Sequence, residues 1–196
     1  ATQRDAAGQM RSPKLNAPKL PQIVIPTTPT TAAVKAGSAI LDPVDNRRLA
    51  LYDPKTRAQS VFLHPDCLAS APRPLVLAAS LNALSMSVEG LLSRSGDPLA
   101  DAHLMHTLRL LVRHLPAIDA GRVELAVAAV MCGRGTDYAS SGMTSALGHA
   151  IGAHLHLENG LMNAIVLPHA LAFNAAYVGP GLEKLAAALG LADSSA

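Results

Sequence analysis

Four of the eight histidines in this chain lie in one stretch, residues 145–174. His149, His154 and His156 stand close enough together to suggest a metal site, because imidazole nitrogen is a common zinc ligand. Helical ligand pairs are normally three or four residues apart, however, and need a further ligand from another element. On a helix, His149 and His156 would share a face while His154 would point elsewhere. The spacing therefore leaves two interpretations open, a metal site or a buried helix with a polar, histidine-bearing end.

A second group of polar side chains follows a short apolar run near the N-terminus. Residues 22–26 read QIVIP, a β-branched sequence typical of a buried parallel strand. The next five residues, 27–31, are four threonines and one proline. A hydroxyl-rich turn after a strand offers backbone N–H groups and Oγ donors to a phosphate or a ribose. The same composition also describes an ordinary structural loop.

Composition excludes several classes of protein. The 196 residues carry 16 Lys and Arg against 14 Asp and Glu, so the basic surface of a nucleic-acid-binding protein is not expected. Polar residues interrupt the apolar runs before a membrane span is complete, and the N-terminus does not resemble a signal peptide. We therefore expect a cytoplasmic protein that does not bind membranes, in which Cys67 and Cys132 are reduced, buried thiols.

The elements that position these residues follow from the hydrophobic pattern. Residues 1–20 are polar and contain Pro13 and Pro18, which predicts a linker or loose arm. Beyond the strand at residues 22–26, short strands are predicted at residues 38–41, 49–52 and 60–63. Helices are predicted at residues 75–93, at residues 104–112 after a cap at Asp97 or Asp101, at residues 123–132, in the stretch from residue 145 and at residues 182–189.

Residues 145–174 resemble the signature of the iron-containing alcohol dehydrogenase family, which includes the maleylacetate reductases. That signature runs roughly GLxHAxxHxLGAxxxxPHGxxNAxxLPxxxxFN. The residues in register are His149, Gly152, Ala153, Gly160, Asn163, Ala164, Leu167, Pro168, Phe173 and Asn174. The resemblance implies the fold class: α/β edge strands followed by a mostly α-helical C-terminal domain, both incomplete in this chain.

The resemblance also implies where a metal would bind, and all four ligand positions are changed here. The family has Asp and His in a motif like GxDALxHxxE, where this chain has Asn82 and Met86. Ser145 and Asn159 stand where the family has its other two ligand histidines. Two amides, a thioether and a hydroxyl do not hold a hard divalent ion with useful affinity. The sequence therefore predicts no metal, as in the maleylacetate reductases, the metal-free branch of the family.

The threonine turn matches a family segment, PTTAGTGSE, whose threonines contact a nicotinamide dinucleotide. Residues 26–34, PTTPTTAAV, align with it without gaps, although Thr30 replaces a glycine and Val34 replaces the glutamate. The resemblance implies that NAD or NADP binds here. It assigns the contacts to Thr27, Thr28 and Thr31.

The family also carries a basic residue near the cofactor on the hairpin that follows the threonine turn. This position falls at Arg47 or Arg48, and we take Arg48 as the candidate contact. Two arginines are equally expected at a solvent-exposed hairpin tip that has no role in cofactor binding.

Three functions fit the sequence. The first is a metal-independent, NAD(P)-dependent oxidoreductase of the alcohol dehydrogenase or maleylacetate reductase type, acting on a small carbonyl or alcohol. His149 and His154 are then the candidate catalytic residues, as polarising donor or general acid. The alternatives are a non-catalytic subunit or pseudoenzyme, and a non-redox enzyme that reuses the same cleft.

The resemblance covers roughly residues 20–192, which correspond to the middle of a family member. It predicts that residues 21–70 belong to an α/β dinucleotide-binding domain and residues 71–196 to an α-helical domain. Strands at the edge of an incomplete domain expose unpaired backbone groups. We therefore expect a homo-oligomer or a complementing second chain.

Overall fold

Short strands fill the first part of the chain, and helices fill the remainder. A computed structural model describes residues 3–7, 10–13, 16–44, 48–139 and 141–191. Within these ranges the strands are β1 (Gln3–Arg4), β2 (Met10–Arg11), β3 (Ile23–Val24), β4 (Gly37–Leu41), β5 (Arg48–Tyr52) and β6 (Ser60–Val61). The α-helices are α1 (Pro65–Ala69), α2 (Arg73–Leu92), α3 (Pro98–His114), α4 (Arg122–Gly135), α5 (Met143–Leu155), α6 (Asn159–Asn174) and α7 (Gly179–Leu189). This order confirms the predicted fold class, edge strands followed by a mostly helical part.

The strands of the described residues form three separate pairs. β4 and β5 make an antiparallel hairpin in which Gly37 is paired with Tyr52. β3 and β6 pair in parallel, as the β-branched sequence around β3 predicts, with Ile23 beside Ser60. The predicted burial of this strand is wrong, since Ile23 is 67% exposed. Because the pair is parallel, the segments that follow β3 and β6 leave it at the same end. One of those segments is the threonine turn.

The N-terminal residues, which the sequence predicts to form a loose arm, contain a small hairpin of their own. β1 pairs with β2 in antiparallel register, and Arg11 lies 2.7 Å from the carboxylate of Asp5. Further along, Lys55 Nζ donates a hydrogen bond to the Ala17 carbonyl, and Lys19 Nζ lies 3.7 Å from Asp53 Oδ2. The described part of this segment therefore contacts the residues that follow the β4–β5 hairpin.

The core of the helical part is built from leucines and small residues around α2. It contains two clusters of buried side chains, one where α2 meets α4 and one where α2 meets α3, α6 and α7. Small residues let the helices approach closely: a Cβ added at Gly160 of α6 would lie 1.8 Å from the Ala78 carbonyl oxygen of α2. The backbone of α6 is therefore in direct contact with α2, which brings both helices to the cleft described below.

Helix α2 is apolar enough to cross a membrane by length and composition, with a mean hydropathy of 1.6. This differs from the expectation that polar residues would interrupt every such run. The interspersed polar residues are too few to lower the mean hydropathy of the helix further, and two of them, Ser80 and Ser85, donate their hydroxyls to the Val76 and Leu81 carbonyls. Half of the apolar window is buried inside the fold, against α3, α4 and α6. We assign α2 as a core helix on this packing.

The helix boundaries follow the caps that the sequence contains. Asp97 caps α3 as predicted, accepting from the backbone N–H groups of Leu99 and Ala100. The signature stretch, however, forms two helices and not one. α5 ends at Leu155, and His156 takes a left-handed conformation with φ 56°. The expectation that His149 and His156 share a helix face is therefore wrong, because His156 lies outside the helix.

Candidate active site

A cleft of ≈ 490 Å³ opens where α2, α5 and α6 meet the short 3₁₀ turn Thr31–Val34. Its volume is in the ordinary range for a small-molecule site. The three helices contribute five polar side chains and one thioether, namely Asn82, Ser145, His149, Asn159, Asn163 and Met86. Thr31 and Lys35 line the opposite wall.

Each helix contributes a pair of residues four positions apart. Asn82 and Met86 belong to α2, Ser145 and His149 to α5, and Asn159 and Asn163 to α6. This spacing places both members of a pair on one helix face, one turn apart. The four positions that the resemblance assigned to metal ligands therefore meet in this cleft together with His149.

Two asparagines are bonded to each other across α2 and α6. Asn163 Nδ2 donates to Asn82 Oδ1 at 3.0 Å, while Asn82 Nδ2 lies 3.4 Å from Met86 Sδ. Asn163 is 1% exposed, and its Oδ1 has no hydrogen-bond partner among the described residues. A Cβ added at Gly148 would lie 1.8 Å from that oxygen. The glycine is therefore what lets the Asn163 amide fit against α5.

A buried carboxylate holds the first turn of α5. Glu89 of α2 is 8% exposed and accepts from the Thr144 N–H at 2.5 Å and the Ser145 N–H at 3.1 Å. It also accepts from Ser145 Oγ at 2.5 Å. The N-cap residue Gly142 makes no side-chain bond, so Glu89 supplies the cap from a neighbouring helix. A negative charge at a helix N-terminus is favourable.

Glu89 stands at the glutamate of the family motif GxDALxHxxE, and the sequence alone gives it no role. A glutamate inside an apolar helix was the available signal, because a buried carboxylate needs a partner. The identity of that partner, more than fifty residues away in the chain, was not accessible from the pattern.

The two candidate catalytic histidines lie in different places. His149 is exposed and lines the cleft one turn after Ser145. His154 is also exposed, in the last turn of α5, but it is not part of the cleft wall. Five residues separate it from His149, which turns it to another side of the helix.

The candidate cofactor contacts are also divided. Thr31 lines the cleft, whereas Thr27 is exposed and Thr28 half-buried in the turn that precedes it. Arg48 begins β5, and its side chain lies outside the described part of the structure. Arg47 lies outside the described residues altogether.

The turn that carries Thr31 is held tightly on α4. A Cβ added at Gly133 would lie 2.5 Å from Val34 Cγ2 and 2.7 Å from the Thr31 carbonyl oxygen. Asp137, just after α4, binds Lys35 Nζ at 3.1 Å and Arg57 Nη1 at 2.6 Å. The helical part thus fixes the wall of the cleft that the strand-bearing part contributes.

The donor set of the cleft does not fit a divalent metal. Asn82 Oδ1 is taken by Asn163, and the Ser145 hydroxyl proton is directed at Glu89. The Met86 thioether, the Asn159 amide and the His149 ring remain, and one imidazole with a thioether and an amide does not make a firm iron or zinc site. Among the described residues, no group of three or more His, Cys, Asp or Glu side chains could hold a metal ion.

Comparison with known proteins shows the family. The model of the Fe-containing alcohol dehydrogenase family, C-terminal, matches residues 76–196. Lactaldehyde reductase of Escherichia coli (strain K12) is 30% identical over 182 residues, covering 90% of this chain and 47% of the relative. The NAD-dependent methanol dehydrogenase of Bacillus methanolicus is 25% identical over 164 residues, covering 80% and 43%.

A solved structure agrees with these sequence matches. Maleylacetate reductase from Rhizobium sp. strain MTP-10005 has a TM-score of 0.79 and 25% identity, covering 87% of this chain and 50% of that one. The chain spans about half the length of the relatives it matches. On the family model, the matched signature and the shared fold, this chain belongs to the Fe-containing alcohol dehydrogenase family, as its sequence predicted.

Proposed function

We propose that this chain forms the substrate-binding part of a metal-independent, NAD(P)-dependent oxidoreductase that interconverts a small carbonyl compound and its alcohol. The observation that carries the proposal is the cleft itself. It brings His149 together with Asn82, Met86, Ser145 and Asn159, the four positions at which the resemblance places metal ligands. The site is thus retained as a polar cleft while its metal-binding chemistry is replaced.

The wall formed by the Thr31–Val34 turn suits a nicotinamide dinucleotide. Thr31 lines the cleft, and Thr27 is exposed three residues after the end of strand β3. The name of the Bacillus methanolicus relative also specifies NAD. When bound, a reduced nicotinamide supplies a hydride to the carbonyl carbon of the substrate.

The chain's own residues supply the proton and the polarisation. Asn82 Nδ2 contacts only a thioether sulfur among its described partners, a weak acceptor, so this amide can donate to a substrate oxygen. A protonated His149 ring gives its proton to the carbonyl oxygen as the carbon is reduced. In the oxidative direction the neutral ring takes that proton back from the alcohol.

The relatives suggest which substrates to test first. One is named for lactaldehyde and another for maleylacetate, both of which carry a small reducible carbonyl group. A cleft of ≈ 490 Å³ has room for either compound. We therefore propose a short, polar aldehyde or ketone as the substrate class.

The experiment is a hydride-transfer assay on the natively purified protein with NADH and NADPH, using lactaldehyde and maleylacetate, with and without EDTA. We expect turnover with at least one pair and no loss on chelation. Failure of all four pairs would contradict the proposal and favour a pseudoenzyme or a non-catalytic subunit. Loss of turnover in EDTA, restored by iron or zinc, would contradict metal independence alone.

A further inference from the structure

We infer that Glu89 is a positioning residue, which fixes the Ser145 hydroxyl and, through the first turn of α5, the ring of His149 in the cleft. The inference rests on the proposed function for its kinetic consequences. Its geometry stands independently of that function. Nothing in the proposed chemistry uses Glu89 directly.

The carboxylate of Glu89 lies in an unusual place for a charged group. Glu89 lies in the core helix α2, is 8% exposed, and has three donors, all from Thr144 and Ser145. Placing an ionised group so deep is costly unless its bonds are satisfied. Charge-assisted bonds of this kind are about twice as strong as neutral ones, so they hold geometry firmly.

The cap that Glu89 provides is connected to the cleft through helix α5. Ser145 and His149 lie one turn apart on the same face of α5, and both line the cleft. The rotation of α5 about its axis therefore sets both side chains at once. Gly142 shows how closely Glu89 holds the helix: a Cβ added there would lie 2.5 Å from Glu89 Oε1.

Glu89 also orients the Ser145 hydroxyl. Its proton points to Glu89 Oε2, so the oxygen presents lone pairs to the cleft and acts there as an acceptor. Asn82, across the cleft, presents a donor. A donor on one side and an acceptor on the other match an oxygen that is carbonyl in one state and hydroxyl in the other. Glu89 thus makes the Ser145 hydroxyl a hydrogen-bond acceptor on one wall of the cleft.

The test compares Glu89→Gln with a matched control, Glu183→Gln, an exposed glutamate on α7. The glutamine keeps the volume but cannot accept three bonds in the same arrangement. We expect kcat to fall by about tenfold or more, since small displacements of a reacting group are costly. The KM for the dinucleotide should change by less than about twofold, because Thr31 and its turn are held by α4.

A double-mutant cycle separates positioning from a general loss of stability. In a His149→Gln background, Glu89→Gln should lower kcat by a clearly smaller factor than in the parent, because one of the two groups that it positions is already gone. A purely structural role would lower the rate by the same factor in both backgrounds. The inference would be overturned if Glu89→Gln lowered kcat by the same factor in both backgrounds, or if Glu89→Gln alone left kcat unchanged.

Two further measurements keep the inference testable if the kinetics fail. If Glu89→Gln does not fold, Glu89→Asp keeps the charge but shortens the side chain, and it should show the same loss of kcat. A parent-like kcat in Glu89→Asp would overturn the inference.

If the parent shows no turnover, the proposed function fails, and NMR tests the positioning of His149 directly. The ring resonances of His149 should then shift in Glu89→Gln, while those of His103 stay in place. Unchanged His149 resonances would overturn the inference.

Discussion

The exposed ring of His149 is the acid–base group that we propose for the candidate site. A histidine that merely satisfied a buried carbonyl would be enclosed, whereas this one is open to the cleft. An exposed imidazole can exchange protons with solvent between turnovers, as a general acid must. His154, on the same helix but outside the cleft, provides a natural comparison.

We expect His149→Gln to lower turnover by about 10²-fold or more, the lower part of the range for a positioned acid–base group. His154→Gln should leave turnover unchanged, because its ring does not reach the cleft. Both variants should keep the parent melting temperature within a few degrees, since both side chains are exposed. Near-parent turnover in His149→Gln would remove this residue from the mechanism.

The four changed ligand positions lead to a prediction about metal content. Elemental analysis of protein purified without chelators should find far less than one equivalent of iron or zinc, because two amides, a thioether and a hydroxyl bind these ions weakly. About one equivalent of either metal would contradict the prediction. It would also reopen His149, His154 and His156 as a new site.

The two thiols differ, although the sequence suggested that both are buried. Cys132 is buried, and burial raises the pKa of its thiol to about 11, whereas Cys67 is half-buried. Unfolding returns the Cys132 pKa to its ordinary value of about 9. The folded state therefore loses stability relative to the unfolded state as the pH rises from about 9 towards 11.

We expect the free energy of unfolding, measured in urea between pH 8 and pH 11, to fall more steeply for the parent than for Cys132→Ala. The difference is at most about 3 kcal/mol, at about 1.4 kcal/mol per pKa unit. Cys67→Ala serves as the control and should keep the parent slope. Parallel curves for the parent and Cys132→Ala would show that the buried thiol does not titrate in this way.

At the scale of the elements, the cleft depends on close contacts between α2, α5 and α6. Glycines make these contacts possible: Gly148 admits the Asn163 amide and Gly160 admits the α2 backbone. The packing is rigid because a backbone carbonyl cannot move aside as a flexible side chain can. A substitution that adds even one methyl group at these glycines should therefore displace the helices that form the cleft.

We expect Gly148→Ala to lower the free energy of unfolding by about 1–3 kcal/mol, the usual cost of overpacking. The added methyl would meet Asn163 Oδ1, which lies 1.8 Å from the Cβ position. Gly179→Ala is the matched control, because nothing lies within 4 Å of its Cβ position in the first turn of α7. Equal stability of the two variants in urea would contradict this account of the packing.

At the scale of the whole molecule, the parallel strand pair leaves apolar side chains in solvent. Ile23, Ile25 and Phe62 are 67%, 54% and 56% exposed. Exposed apolar side chains beside the open edges of a short strand pair favour association. We propose that this face is covered in the working assembly, by a second copy or by a complementing chain. The division into residues 21–70 and 71–196 stays a prediction.

We expect the isolated chain to self-associate at high micromolar concentration, as measured by size-exclusion chromatography with light scattering. Ile23→Lys combined with Phe62→Lys should reduce that association, because the charges must be desolvated in any contact. Leu99→Lys, at an equally exposed leucine on α3, should not. A monodisperse parent monomer would contradict the proposal.

The sequence by itself predicted the family, the succession of strands and then helices, and the four changed ligand positions that meet in the cleft beside His149. These features depend on near neighbours: the three-four spacing defines helix faces, and a signature fixes its register on them. Pairs four residues apart, such as Asn82 with Met86, were therefore placed together correctly. The cap at Asp97 was predictable for the same reason.

Only the tertiary structure decided which partners meet across the chain. The bond between Asn163 and Asn82, and the cap that Glu89 gives to α5, join residues more than fifty positions apart. Such pairs depend on how helices pack, which local spacing does not encode. The left-handed turn at His156 likewise ended α5 early, and so separated the histidines that the sequence had grouped. Periodicity sets the face a residue occupies, but packing sets what that face meets.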